Sequence, residues 1–237
     1  GEAINGFVAV LELARRSGAR VVYASSSSLY NGICPPHSED MIIEVSDYYT
    51  EARFAMERIA ELYKRLFDVS SVGMRFFSVY GPKEAAKKQY ANMISQFLWE
   101  IMKGRSPVIF GDGTQTRAFS YIDDNLEPFW NAAVLPQASK EIINVGGIEE
   151  ISILEASSTL REIIGSGNII FKEARHEVKH SIPTWKKSVD ILGYEYKTDL
   201  KRGLTEMWKW AQRQPKRERF IWPSYELDKG IYSFWKK

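Results

Sequence analysis

The chain has 237 residues, of which 44% are apolar and 26% are charged, and its formal net charge is +2. This composition is typical of an ordinary globular protein, and the balanced charge gives no sign of nucleic-acid binding over the whole chain. The single cysteine, Cys34, excludes an internal disulfide framework and fits a reducing compartment. No apolar run could span a bilayer and the first residues lack a signal-peptide pattern, so we expect a cytoplasmic protein with no membrane partner.

The first third of the chain alternates helical and strand patterns. Apolar residues at helical spacing predict a helix that Gly18 ends, and a β-branched run predicts a buried strand after it. A polar, proline-containing loop then leads to a long amphipathic helix and a second strand. In chain order, the expected elements are a helix over 3–17, a strand over 20–25, a loop over 31–40, a helix over 47–67 and a strand over 71–77.

The rest of the chain continues the alternation and then breaks into shorter elements. Asp123 and Asp124 are expected to cap a helix that runs to about residue 135. The other expected elements are a helix over about 90–103, strands over 108–110, 117–122 and 142–145, a helix over 153–165, a strand within 168–171, and helices over 184–191 and 199–212.

Strands that alternate with helices predict βαβ crossovers and a parallel sheet, which is an α/β fold. We expect a sheet domain over residues 1–80, to which the segment from about 117 to 147 returns. Residues 81–212 are expected to form mostly a smaller, mixed α/β domain. The tail over 213–237 mixes basic and aromatic residues, and we favour its packing on its own domain or a partner subunit over nucleic-acid contact.

A tyrosine and an arginine four residues apart, Tyr49 and Arg53, follow the serine-rich strand end at Ser25–Ser28. On a helix these two positions share one face, about one turn apart. A cation that close favours phenolate over phenol, and a serine hydroxyl at a strand end could bond the same substrate oxygen. The spacing alone is a weak signal, since most such pairs are only surface neighbours, and its weight comes from the surrounding motifs.

Seven sequence motifs in a fixed order resemble the extended short-chain dehydrogenase/reductase family, and in particular its nucleotide-sugar epimerases and dehydratases. The motifs are NGFVAVLELARR, YASSSSLY, YTEAR, RFFSVYGP, GDGTQTRAFSYIDD, INVGG, and RHEVKHS with LGYEYKTDLKRGL. They extend from Asn5 to about Trp210. The resemblance implies a Rossmann-type doubly wound sheet with a smaller substrate domain, an NAD cofactor and a nucleotide-sugar substrate, as in UDP-glucose 4-epimerases.

The resemblance also implies roles for individual residues. Tyr49 would be the base that takes a sugar hydroxyl proton, Ser26 would bond the same hydroxyl, and Arg53 would supply the cation. The nicotinamide end of the cofactor would be held by Tyr49, Arg53, Ser25 and Phe76. The substrate would be held by Ser27, Ser78, Arg117 and Arg175, of which the two arginines suit a diphosphate. Glu57 is expected to be structural.

The chain departs from the family pattern at several of these positions. Arg53 stands where the family has lysine, Ser78 where it usually has asparagine, and Ala118 where it usually has aspartate. Thr184 falls near another usual aspartate. These departures suggest a divergent or impaired member. The pair Ser27-Ser28 replaces the Asp-Glu pair of the family's dehydratases, which disfavours water elimination.

The glycine-rich loop that opens the family, a strand followed by Gly-x-x-Gly-x-x-Gly, does not occur in the sequence. Without the preceding strands, the strand over 20–25 would be an exposed apolar edge. We therefore expect a fragment of a longer protein, and the sequence does not separate NAD from NADP. No metal site is expected, because the three histidines, His37, His176 and His180, have no partner at ligand spacing.

The leading functional hypothesis is an NAD-dependent nucleotide-sugar epimerase that acts at C4 through transient oxidation to a keto-sugar. A reductase of the same family is the nearest enzymatic alternative, and net consumption of NAD(P)H would distinguish it. A non-catalytic nucleotide-sugar-binding or assembly protein is the alternative from another class. The resemblance also implies a homodimer formed through the helices over 3–17 and 47–67.

Overall fold

A computed structural model describes residues 2–45, 47–84, 87, 91–165, 167–174 and 178–214. Arg175 and His176 lie outside these residues, as does the tail from residue 215 onward. Within them the helices are α1 (Glu2–Ser17), α2 (Tyr48–Phe67), α3 (Met93–Met102), α4 (Leu126–Val134), α5 (Ile153–Ile164), α6 (Lys186–Leu192) and α7 (Leu200–Ala211). The strands are β1 (Val21–Ser26), β2 (Ser71–Phe76), β3 (Val79–Tyr80), β4 (Val108–Phe110), β5 (Thr116–Arg117), β6 (Ser120–Tyr121), β7 (Ile142–Val145), β8 (Ile151–Ser152), β9 (Ile170–Lys172) and β10 (His180–Ser181).

The main sheet is parallel, with the strand order β1-β2-β7. Val21 pairs with Ser71, and Gly73 pairs with Ile142, so the three strands run in register and end at the same edge. Residues of α1 and α2 cover one face of the sheet, and residues of α4 and α6 cover the other. The prediction of an α/β fold with a parallel sheet is therefore confirmed.

The helices that flank this sheet follow the apolar periodicity of the sequence. In α1, Phe7, Leu11 and Ala14 recur at a helical spacing and are buried, and they join Met56 and Ala60 of α2 in one apolar cluster. Strand β2 is buried over five of its six residues, because helices cover both faces. The cluster on the opposite face combines sheet residues such as Val72 with residues from the elements that follow β6.

The remaining elements form a further apolar cluster built on α3, α5 and α7. Three small sheets accompany it, with the strand orders β10-β5-β8, β3-β6 and β4-β9. The two parts of the molecule meet closely after β7. A Cβ at Gly147 would lie 2.0 Å from the backbone oxygen of Phe119, so only glycine fits at that contact.

Several details differ from the sequence prediction, among them the run over 117–122 and the cap of α4. The run over 117–122 forms two short strands, β5 and β6, because Ala118 between them donates its N–H to Ser181 of another strand segment. The expected cap of α4 is also wrong. Residues 122–125 form a 3₁₀ turn before α4, and Asp124 instead accepts hydrogen bonds from the backbone N–H groups of Lys197 and Thr198.

No helix in the part of the chain that the structure describes is long and apolar enough to cross a membrane. The same residues contain no group of three or more histidine, cysteine or acidic side chains that could hold a metal ion.

Candidate active site

The serine-rich end of β1 lies at the carboxyl edge of the parallel sheet, which is the edge where open α/β sheets bind ligands. Residues 27–30 leave the sheet as a 3₁₀ turn, and the oxygen of Ser26 accepts the N–H of Ser28 at 3.1 Å. Helix α2 packs against both β1 and this turn. The elements that carry the predicted serines and the predicted tyrosine are therefore neighbours.

Helix α2 begins with a capping box that fixes the position of its first turn. The carboxylate of Asp47 accepts the N–H groups of Tyr49 and Thr50, at 2.8 and 2.9 Å, and the Thr50 hydroxyl accepts the N–H of Asp47. Tyr49 consequently sits in the first turn of α2, where its side chain is 43% exposed. A half-exposed phenol at this edge of the sheet is accessible to a ligand.

Arg53 lies one turn after Tyr49, as the spacing predicts. Its guanidinium carbon is 5.1 Å from the centre of the Tyr49 ring, which is cation–π distance. Its Nη1 also donates to the backbone oxygen of Ala24, at 3.1 Å. Because Val21 N donates to Ser70 O on the β2 side, the alternation along β1 places the Ala24 oxygen on the outer edge of the strand. Arg53 thus joins α2 to the open side of β1.

Beneath this pair lies a buried ion pair between α2 and β2. Arg75 donates to both carboxylate oxygens of Glu57, from Nε at 2.9 Å and from Nη2 at 2.7 Å, and the two side chains are 4% and 6% exposed. The hydroxyl of Ser25 donates to the same carboxylate at 2.5 Å. Ser25, for which the sequence indicated a cofactor contact, therefore has a partner inside the protein.

Arg75 also holds Tyr30, which closes the 3₁₀ turn after the serines. Its Nη1 donates to the Tyr30 oxygen at 2.6 Å, and the Tyr30 hydroxyl donates to the side-chain oxygen of Asn144 at 2.8 Å. Burial raises the pKa of Tyr30 above that of an ordinary tyrosine. This phenol is therefore a structural hydrogen-bond donor at neutral pH.

A cleft of about 340 Å³ opens beside the serine-rich turn. Three of the four predicted substrate residues, Ser27, Ser78 and Arg117, line it together. The fourth, Arg175, lies outside the described residues. Ser78 has a φ of +40°, in the left-handed region that few residues other than glycine adopt. The cleft therefore brings together residues from three separate sequence motifs.

Arg117 brings a permanent positive charge to this cleft. Its guanidinium donates to the backbone oxygens of Val178 and Lys179, at 2.6 and 3.1 Å, so the segment before β10 fixes its position. A guanidinium held in place at the wall of a cleft is suited to bind a phosphate or carboxylate group.

Sequence reasoning missed several residues of the cleft wall. Asn92 caps α3 by accepting the N–H of Ile94, and the next turn of that helix supplies Gln96. Aromatic and aliphatic side chains complete the wall, and they include Phe97, Phe110, Phe119, Ile153 and Val178. The asparagine before an apolar helical run was the one available signal, since it marks an N-cap.

Phe76, for which the sequence indicated a cofactor contact, ends β2. It is partly buried and packs against the apolar cluster that includes Val72 and Val145.

Two of the three histidines lie among the described residues. His37 is fully buried and stacks on Tyr30, and His180 contacts the hydroxyl of Thr116.

Comparison with known proteins gives the family. Residues 2–146 match the NAD dependent epimerase/dehydratase family. UDP-glucuronate 4-epimerase from Thermodesulfobacterium geofontis is 31% identical over 220 residues, which cover 88% of this chain and 64% of that protein.

Solved structures of epimerases are also similar to this chain. UDP-glucuronic acid 4-epimerase from Bacillus cereus, in complex with UDP-glucuronic acid and NAD, has 27% sequence identity and a TM-score of 0.82 over 89% of this chain and 67% of that chain. UDP-glucose 4-epimerase from Thermotoga maritima, with UDP-glucose, is 24% identical with a TM-score of 0.82 over 89% and 69%, which shows the shared fold. The chain spans about two thirds of the length of these relatives. Since the family match covers more than half of its residues, the chain belongs to the NAD dependent epimerase/dehydratase family.

Proposed function

We propose that this chain is the substrate-binding part, and one side of the cofactor site, of an NAD-dependent nucleotide-sugar epimerase that acts at C4. The observation that carries the proposal is the placement of Tyr49 and Arg53. They lie in contact at the carboxyl edge of the parallel sheet, on a helix that packs against the turn carrying Ser27 and Ser28 of the cleft. The relatives named above, which are UDP-sugar 4-epimerases, support the substrate class.

In the proposed reaction, Tyr49 removes the proton from the sugar 4-hydroxyl, and Ser26 donates a hydrogen bond to the same oxygen. A base and a donor on one oxygen are needed because the carbon–hydrogen bond breaks readily only as alkoxide character develops. Arg53 keeps a positive charge beside Tyr49, with its guanidinium carbon 5.1 Å from the centre of the ring. After the keto-sugar has turned over, C4 is inverted because hydride returns to its opposite face, and Tyr49 gives the proton back to the 4-oxygen.

The residues present fit the nicotinamide end of NAD. A half-exposed phenol with a cation over its ring lies at the carboxyl ends of parallel strands, where a flat ring and a ribose can approach. Tyr49 and Arg53 are the residues that would hold this end, whereas Ser25 is bonded to Glu57 and Phe76 packs in the apolar cluster of the sheet. When bound, NAD supplies the hydride acceptor and donor of the reaction. The 237 residues contain no Gly-x-x-Gly-x-x-Gly motif, so they do not fit the pyrophosphate end.

The cleft supplies a site for the nucleotide-sugar. Arg117 would bind the diphosphate, and the aromatic side chains of the wall, such as Phe97 and Phe110, could contact the base. Ser27 and Ser78 would face the sugar. The described residues of the wall are rich in hydroxyl groups and include no acidic pair, which fits epimerisation better than water elimination.

A homodimer is part of the proposal. Helices α1 and α2 pack side by side, as shown by the bond from the Tyr63 hydroxyl to Glu12 and by the position of Arg15 over Phe67. Their outer surfaces expose large apolar side chains, namely Val10, Leu13, Leu62, Leu66 and Phe67. Apolar surface of this kind on a helix pair is typical of subunit contacts.

The test is incubation of the protein that carries this chain, purified in its natural form, with NAD and either UDP-glucose or UDP-glucuronate, followed by proton NMR of the sugar. The proposal expects formation of the C4 epimer with no net change in NADH absorbance. Net consumption of NADH with formation of a reduced sugar would indicate a reductase. No conversion of either sugar would contradict the proposed function of this chain.

A non-catalytic nucleotide-sugar-binding protein is the second candidate, and the bonding of Arg53 favours it. The family has lysine at this position, whereas the guanidinium here is engaged with the Ala24 oxygen and the Tyr49 ring. In this arrangement the guanidinium of Arg53 binds groups of the protein itself, whereas a catalytic role requires it to bind the cofactor. An Arg53→Lys variant separates the candidates. A gain of turnover would mean that arginine impairs the site, and a loss would mean that arginine is a working replacement.

A further inference from the structure

One buried carboxylate, that of Glu57, connects the three elements that carry the proposed chemistry. It accepts hydrogen bonds from Ser25 on β1 and from two nitrogens of Arg75 on β2, while it belongs to α2 itself. On α2, Tyr49 and Arg53 precede Glu57 at intervals of four residues, so all three lie along one face of the helix. On β1, Ser25 directly precedes Ser26.

The same arginine also holds the segment that enters α2. Arg75 donates to Tyr30, and Tyr30 donates to Asn144 of β7. Asn144 in turn donates from its backbone to the Glu39 carboxylate and from its side chain to the His37 oxygen. The loop before Tyr49 and the helix after it are thus both connected to Arg75.

The burial of this network indicates what it does. A fully buried ion pair contributes little to stability compared with apolar residues of the same volume, because both charges lose their hydration. Stability alone therefore does not explain why an ion pair is buried here. Its two charged members share directional, bidentate bonds, which add geometric specificity to the contact between α2 and β2.

We propose that Glu57 and Arg75 are positioning residues that set the separation and orientation of the Tyr49 and Ser26 hydroxyls. This inference rests on the proposed function for its effect on turnover, but the geometry it describes is independent of turnover. A displacement of about 1 Å between reacting groups lowers a rate by about 100-fold. The network would consequently affect kcat and leave nucleotide-sugar binding unchanged, since other elements form most of the cleft wall.

The test replaces the whole pair, in the double variant Glu57→Leu with Arg75→Met, so that neither charge is left buried alone. The expected result is a melting temperature close to that of the wild type, a KM within about twofold, and a kcat lower by about 100-fold. A matched control is the double variant Glu100→Leu with Arg105→Met. That pair is also bidentate, at 2.6 and 3.0 Å, but half of the Arg105 side chain is exposed. It should leave kcat and KM unchanged.

A crystal structure of each variant supplies a readout that does not depend on activity. The inference expects the distance between the Tyr49 and Ser26 hydroxyl oxygens to change by about 1 Å or more in the Glu57/Arg75 variant only. An unchanged distance, or an unchanged kcat in an active protein, would overturn it.

If the wild type shows no turnover, the proposed function fails and the distance still decides the positioning role. If the double variant does not fold, Ser25→Ala is measured in its place, because it removes the bond between β1 and the Glu57 carboxylate, and an unchanged distance between the two hydroxyl oxygens overturns the inference there too.

Discussion

At the scale of single residues, Ser78 is the clearest case of strain next to the cleft. Its φ of +40° is a conformation that asparagine adopts more readily than serine. The variant Ser78→Asn should therefore raise the free energy of unfolding by about 1 kcal/mol, measured by urea denaturation. Ser27→Asn is the control in the same cleft, because Ser27 is not among the described residues with positive φ, and no gain is expected there. Equal effects in both variants would contradict the account of strain.

His37 is a second residue whose environment makes a measurable prediction. Burial lowers the pKa of its imidazole below the ordinary value of about 6.5. The unfolded chain therefore binds a proton more readily, and the stability due to neutral His37 is present above about pH 6.5 and lost as the pH falls below it. His37→Phe keeps the ring that stacks on Tyr30 and removes the titration.

The measurement for His37 is urea denaturation at several pH values between about 5 and 7.5. The wild type should lose more free energy of unfolding over this range than the His37→Phe variant does. Parallel curves for the two proteins would show that His37 does not contribute to the acid sensitivity.

At the scale of elements, the N-terminus of α2 couples stability to the proposed chemistry. Asp47→Ala removes the side chain that accepts the N–H groups of Tyr49 and Thr50, which should lower the free energy of unfolding by about 1 kcal/mol. The first turn would then fray, and because Tyr49 lies in it, turnover should also fall.

The control for this prediction is the N-cap of α7, which lies in the other part of the molecule. Asp199 accepts the N–H of Arg202 at 2.7 Å, so Asp199→Ala should cost a similar free energy of unfolding. Its turnover at permissive temperature should match that of the wild type. If both variants lose turnover equally, the effect of Asp47 is only one of stability.

The elements themselves show what a sequence can predict. Helices α1 and α2 and strands β1, β2 and β7 lie within one or two residues of their predicted bounds, because periodicity, caps and β-branched runs are local signals. Strand β10 was not predicted. Its two residues, His180 and Ser181, become a strand only through pairing with Thr116 and Arg117, which are more than sixty residues earlier.

In the candidate site, too, some features could be predicted from local sequence and others depend on tertiary packing. The motifs named Tyr49, Arg53 and the serines, and the structure places Ser27, Ser78 and Arg117 in one cleft. The motifs did not reveal that Ser25 would be engaged by Glu57, because that bond depends on the packing of α2 against β1. The residues that α3 contributes to the cleft were also missed, since their role arises from tertiary packing.

At the scale of the whole molecule, the apolar surface of α1 and α2 predicts the oligomeric state. The double variant Leu13→Asp with Leu66→Asp should convert a dimer into a monomer of about 27.2 kDa, because each carboxylate would be buried without a partner. Light scattering coupled to size-exclusion chromatography measures the mass. Ile42→Asp, in a loop where the side chain is 86% exposed, is the control and should leave the mass unchanged. A wild-type monomer would contradict the proposed dimer.

Whether Tyr49 is the base of a nucleotide-sugar epimerase is decided by the Tyr49→Phe variant. Its turnover of a UDP-sugar in the presence of NAD is compared with that of the wild type, and its affinity for the same UDP-sugar is measured by calorimetry. We expect turnover to be lost and the dissociation constant to stay within about twofold, since phenylalanine keeps the ring and removes only the proton acceptor. Turnover at the wild-type rate would contradict this role of Tyr49.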